Sequence, residues 1–265
     1  MDDEFEKIYN SERDIWGDPQ EYKGVKFYPI LLRDSYLQDM FRKYLCFPKN
    51  YIRSEIEIIK SSYIKYILVY VCAFNKEDYV HFKSGLEEFL SKITRQKCIV
   101  KDTKIEHLDI YVYQVKIGDI VFDEQEFDTI RKIILKQSGI SYNHIEDFDP
   151  DLEPALRHYE RESENITLND QVFSLSSLSG YLVTDEAMKD LTLYQFKQSF
   201  SRLALKFDYE MLYPLEVSGQ IKSKNGNKIT KSYLSHFEEK GRYDSILIKR
   251  EDFMKTNPLM KDNNK

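Results

Sequence analysis

From Val25 to about Gln96 apolar residues recur every three to five positions, which is the period of amphipathic helices. Leu31-Leu32, Leu37, Met40-Phe41 and Leu45 predict a first helix that stops before Phe47-Pro48, because proline bars the preceding residue from helical geometry. Ser54-x-x-Glu57 has the spacing of a capping box and predicts a second helix that runs through Ile58 and Ile59 into the apolar run Tyr66 to Phe74. A third helix follows Asp78, with Tyr79, Phe82, Leu86, Phe89, Leu90 and Ile93 on one stripe. Three helices with short connections predict a bundle over residues 23–96.

At Lys97 the period shortens. Cys98-Ile99-Val100, the alternating run Ile110 to Ile117, and Ile120-Val121-Phe122 are rich in β-branched and aromatic residues, and Gly118-Asp119 supplies a tight turn between the last two. Asp123-x-x-Glu126 then predicts a capped helix that buries Phe127, Ile130, Ile133 and Ile134 and stops at Gly139. Residues 97–140 therefore read as a small antiparallel sheet plus a helix, an insert or subdomain. An acidic connector over 141–170, with Pro150, Pro154 and a short helix around Leu156, leads to a C-terminal helical region over 171–245.

In that region Thr192-x-x-Gln195 is another capping box. Leu193, Phe196, Phe200, Leu203, Phe207 and Met211 make the clearest helical stripe of the chain, and its spacing predicts core. Pro214 should kink or end this helix, and Ser218-Gly219 should close it. Ser223 to Asn227 has turn chemistry, Ser232 to Phe237 reads as a further short helix, and 246–265 is a tail. Residues 1–22 form an acidic N-terminal arm in which Trp16 is expected to dock on its own domain or on another subunit, the first being slightly favoured. The fold class expected is α+β, mainly α: a helical bundle, a small antiparallel β-hairpin sheet and a C-terminal helical half.

Composition narrows the functional classes. The chain has 265 residues with 42% apolar content, enough for one large domain or two modest ones. Its 20 Tyr and 16 Phe against 9 Gly and 7 Pro favour long elements with half-polar rings at the rim of the core. The net charge of -6 is unevenly spread. The arm 1–22 and the connector 141–170 are both strongly acidic and the remainder is mildly basic, which argues against duplex nucleic acid as the main partner. Cys46, Cys72 and Cys98 lack metal or redox spacing and read as buried free thiols of a reducing compartment. The acidic start is unlike a signal peptide, and the nine-residue apolar run is too short to span a bilayer, so no membrane partner is expected.

Candidate chemistry is sparse. No phosphate-binding glycine loop, nucleophile elbow or metal-binding His or Cys pair is present, so no catalytic, cofactor-binding or metal residue is assigned. Asp147, Asp149, Asp151 and Glu153 resemble the first half of a calcium loop, but Leu152 and His158 stand where such a loop needs Gly and Glu, and a solvated connector is the expected reading. Asp102 followed by Gln114-Val115-Lys116 evokes a metal-dependent nuclease hairpin. Gln114 stands where the second acid is needed, and Lys116 is expected to face solvent. His81, His107, His144, His158 and His236 are scattered. The residues expected to grip a partner are Trp16, Tyr194, Tyr209 and Tyr213, the three tyrosines lying off the C-terminal stripe.

Three blocks taken together carry a resemblance: Tyr22 to Ile30; Ile117 to Phe122 with Phe127 to Ile134; and Tyr209-Glu210 through Ser218-Gly219-Gln220. They resemble a family of proteins encoded by tailed bacteriophages of low-GC bacteria and placed among tail-assembly or tail-structural genes; Tyr233 stands where that family usually has Trp. The resemblance implies a non-enzymatic tail-assembly (chaperone-like) or virion structural protein without cofactors. Its partners would be other phage tail proteins such as the tape-measure protein, with homo-oligomerisation allowed, in the host cytoplasm or the virion. The alternatives are a metal-dependent nucleic-acid enzyme on the central sheet and a phage regulatory protein.

Overall fold

A computed structural model describes residues 5, 7–47, 49, 60–72, 76–105, 110–140, 167–179, 186–221, 230 and 232. In chain order the elements are α1 (Ser11–Trp16), β1 (Gln20–Tyr22), β2 (Val25–Phe27), α2 (Ser35–Leu45), α3 (Tyr63–Lys65), α4 (Lys76–Thr94), β3 (Cys98–Ile105), β4 (Ile110–Ile117) and β5 (Ile120–Phe122). After the sheet come α5 (Glu124–Gln137), α6 (Leu168–Ser179), α7 (Glu186–Lys189) and α8 (Leu193–Val217). The protein is a mainly α member of the α+β class, with one two-stranded and one three-stranded antiparallel sheet.

The expected helical stretch from Val25 begins instead with a hairpin. β1 and β2 pair antiparallel around Lys23-Gly24, and both turn residues have positive φ, 50° and 82°. A two-residue turn of that hand matches the twist of paired strands, and glycine reaches it without a Cβ clash. Val25 and Phe27 point into the core while Lys26 points out. The first helix accordingly starts at Ser35, not near Leu31, whose backbone bridges to Thr192. The apolar run after Lys65 is helical, with Tyr66, Ile67 and Leu68 buried and Val69, Tyr70 and Val71 half-buried, but Tyr66–Val71 is wound as a π-helix, with the Cys72 N–H reaching back to Ile67 O at 2.9 Å; residues 73–75 lie outside the described residues. The Ser54 to Ile59 capping box, the Leu156 helix and the Ser232 to Phe237 helix lie outside the described residues.

One apolar core joins the bundle to the sheet. Phe27, Phe41, Ile67, Phe89 and Leu90 belong to the same buried cluster as Val100, Val115, Ile117, Phe122, Phe127 and Ile130. The sheet order is β3-β4-β5, with Ile99 opposite Lys116 and Asp102 opposite Tyr113. Gly118 turns β4 into β5 at φ 59°, and Asp123 and Glu126 form the expected reciprocal cap of α5. Arg131 on α5 is fully buried, its Nε donating to Leu45 O at 2.8 Å and its guanidinium stacking 3.5 Å from the Tyr63 ring centre.

Side chains pack along both edges of the three-stranded sheet. On α4, Lys83, Glu87 and Ser91 are spaced one turn apart and meet β3: Ser91 Oγ accepts the Cys98 N–H at 3.0 Å, Glu87 Oε1 accepts the Val100 N–H at 2.7 Å, and Lys83 pairs with the Asp102 carboxylate. At the other edge the β1–β2 turn lies beside β5, with Gly24 near Ile120, Tyr22 stacked on Phe122 and Lys23 paired with Glu126. Two outward N–H groups of β3, those of Cys98 and Val100, are thus taken, which removes part of the row that a foreign strand would pair with.

The N-terminal arm docks through residues other than Trp16. Phe5 and Tyr9 are buried against Ile133, with Lys132 and Lys136 over their rings. The Tyr9 hydroxyl and Gln20 Nε2 both donate to the buried Asp14 carboxylate. Trp16 is 78% exposed. The expectation that it docks on its own domain fails because α1 ends there, and Gly17 at φ 74° turns the chain away before the indole meets a neighbour.

Candidate functional site

Among the described residues, helix α8 carries five exposed large apolar side chains: Phe207, Met211, Tyr213, Leu215 and Val217. Thr192 Oγ1 accepts the Gln195 N–H at 3.1 Å and Gln195 Oε1 accepts the Thr192 N–H at 2.9 Å, the capping box expected from the sequence. The same Gln195 amide donates to Ile15 O at 2.8 Å and so ties the arm to the helix start. Backbone bonds fix that start to the body: Leu193 N–H to Ile30 O at 2.9 Å and Leu32 N–H to Leu191 O at 2.8 Å. An Arg33–Asp190 ion pair lies alongside.

Along the stripe, burial fades with distance from this anchor. Leu193 and Phe196 are buried, in contact with Leu175 of α6 and Met188 of α7 in the case of Phe196. Phe200 and Leu203 are half-buried, Phe207 is 37% exposed and Met211 is 70% exposed. The expectation that the whole stripe is core holds for its first half only: Phe196 packs with Leu175 and Met188, and burial falls away beyond Leu203. Ala204 and Leu215 extend the open part, and Phe173 (62% exposed) and Leu178 on α6 add to the uncovered apolar surface of this half. The helix does not end at Pro214. It continues to Val217 and closes at Ser218-Gly219, with Gly219 at φ 75°.

The four partner-binding candidates fall into two pairs. Trp16 and Tyr194 lie at the anchored end, where Tyr194 is half-buried beside Asp14 and burial raises its hydroxyl pKa. Tyr209 and Tyr213 lie at the far end, roughly 22 Å and 28 Å along the helix from Tyr194 at about 1.5 Å per residue. Their rings stack at 4.9 Å, Tyr209 half-buried and Tyr213 exposed. Phe173, Leu178 and Leu215 were missed by the sequence reading; an off-stripe Phe and Leu on α6 were the available signal.

The nuclease constellation is not assembled. Asp102 lies three residues from Ile99, the partner of Lys116, so Asp102 and Lys116 point to opposite faces of the sheet. Asp102 is occupied by Lys83, which lowers its pKa, and Tyr79 also donates to it. Lys116 is near Asp119 at 3.9 Å. The cysteines are free, Cys72 and Cys98 buried and Cys46 half-buried, and burial pushes Cys46 and Cys72 up to about 11, so these thiols stay protonated and unreactive near neutrality. Burial lowers Lys197 on α8 to about 8, and its Nζ donates to Ser138 O at 3.0 Å, closing the C-terminus of α5. His81 is exposed; His107, His144, His158, His236 and the acidic series Asp147 to Glu153 lie outside the described residues. Among the described residues no group of three or more His, Cys, Asp or Glu is placed to hold a metal ion, and no helix is long and apolar enough to cross a membrane.

Residues 160–238 match the family model of the YomV second domain. The matched stretch contains α6, α7 and α8, and it suggests a phage-derived protein family. No curated protein and no solved structure matches the chain.

Proposed function

We propose that the protein is a non-enzymatic phage assembly or virion protein that works by binding other proteins, with a tail component as its partner. The observation that carries this reading is the apolar stripe of α8, which is buried at one end and continues into solvent through Phe207, Met211 and Leu215. An uncovered stripe of helical period suits an amphipathic helix of a long, aggregation-prone partner such as a tape-measure protein. The tailed-phage resemblance of the sequence and the YomV-type match over the same helices support the assignment. The acidic arm and connector would then keep such a complex soluble in the host cytoplasm, with retention in the virion as the alternative end point.

The test is co-elution of the purified protein with each tail protein of its own genome. Met211→Glu should weaken the complex at least tenfold while leaving the unfolding transition within about 0.5 kcal/mol of the parent, as expected for an exposed position. Failure to bind every tail protein would sink the proposal.

A further inference from the structure

The open end of α8 sets an apolar face between acidic flanks. At about 100° per residue, Ala204, Phe207, Met211 and Leu215 fall within about 40° of one line along the helix. All four are exposed. Asp208 lies about 60° to one side of that line and Glu210 about 100° to the other, and both are exposed as well. Lys206, about 140° from the line, sits towards the far side of the helix. Its Nζ is 3.7 Å from Glu210 Oε1, a one-turn pair with both side chains open to solvent, too weak to cancel the acid. From Ala204 to Val217 this single base stands against three acids, Asp208, Glu210 and Glu216. The other bases of α8, Lys197 and Arg202, precede Leu203, and Lys197 is committed to Ser138 O. Pro214 adds an acceptor to the open end, because it has no N–H to give the Glu210 carbonyl one turn back.

These flanks discriminate between occupants. In paired helices the residues beside the apolar seam face one another across it, and opposite charges there set partner choice. A second copy of α8 brings the wrong charges. Antiparallel, like flank meets like flank, Glu210 with Glu210 and Asp208 with Asp208; parallel, the Asp208 flank meets the Glu210 flank. A helix with basic flanks makes an attractive contact on each side, and the long stems of its lysines or arginines extend the apolar cover over Phe207 and Leu215.

We propose that the open face of α8 takes an amphipathic helix whose apolar seam is flanked on both sides by lysine or arginine. The inference rests on the proposed reading of α8 as a protein-binding surface and adds the chemistry of what binds there.

The test uses the full-length protein and two synthetic helical peptides with the same leucine seam, one flanked by lysine and the other by glutamate. The lysine peptide should bind about tenfold tighter in titration calorimetry at low salt, an advantage that shrinks at high salt. Asp208→Lys combined with Glu210→Lys should reverse the preference while keeping the parent's helical circular-dichroism signal. Glu21→Lys combined with Asp39→Lys, at exposed positions on β1 and α2, should leave the preference in place and so separate the flanks from the overall negative charge. Equal binding of the two peptides, binding of neither, or dimerisation of the parent that Met211→Glu abolishes overturns the proposal. If the Asp208→Lys and Glu210→Lys double variant binds a tail protein as the parent does, the proposed function stands and this inference falls. If no tail protein binds and the peptide preference reverses as described, this inference stands and the tail assignment falls.

Discussion

Residues 25–140 and residues 168–217 use the same kinds of side chain to opposite ends. In the first region the described sheet and helices share one buried core, and two edge N–H groups of β3, those of Cys98 and Val100, are taken by Ser91 and Glu87. In the second, one helix outruns its neighbours and leaves Phe207 and Met211 in solvent. The lesson is that helical spacing of apolar residues reports which face is sticky, whereas partners distant in sequence decide whether that face becomes core.

Three measurements break or sharpen this contrast, in falling order of effect. Phe127→Ala removes a fully buried ring from the shared core and should cost about 3–5 kcal/mol in denaturant unfolding, while Met211→Ala should cost less than about 0.5 kcal/mol. Comparable losses at the two sites would erase the distinction. Glu87→Ala leaves the Val100 N–H without its acceptor and uncovers the β3 edge. About 1–3 kcal/mol should be lost and association should become concentration-dependent in sedimentation, with Glu87→Gln restoring most of both. The smallest effect belongs to the arm. Burial raises the Asp14 pKa above its usual value, so the charged carboxylate opposes docking; docking should tighten as pH falls through the raised pKa and loosen above it. Asp14→Asn should flatten that dependence, read as amide-exchange protection of residues 9–16, corrected for intrinsic exchange rates, at pH 7 against pH 3.8, the ordinary value of the carboxyl. An arm equally protected in the parent at both pH values would refute this link.

Much of the fold was legible because its signals are local. The α5 and α8 capping boxes, the Gly118 turn and the six-residue stripe of α4 each depend on residues within a few positions of one another. The β1–β2 hairpin was not, since three-residue strands are too short to establish an alternation and Lys23 is an unusual residue at positive φ. Arg131 was illegible for a different reason: its burial depends on Leu45 and Tyr63, distant in sequence. At the candidate surface the stripe itself could be read, but its exposure depends on partners distant in sequence, such as the Leu175 and Met188 that cover Phe196. Trp16 and Tyr213 are both exposed, while Tyr209 is half-buried on the rear of the helix.

The main-chain seam at Ile30 to Arg33 is one of several ties that seat the root of α8: Gln195 reaches Ile15 O and Lys197 reaches Ser138 O within the same stretch of helix. One short root thus gathers the arm, the loop after β2 and the end of α5, so a change at Gln195 or Lys197 is felt by segments 180 and 59 residues away along the chain.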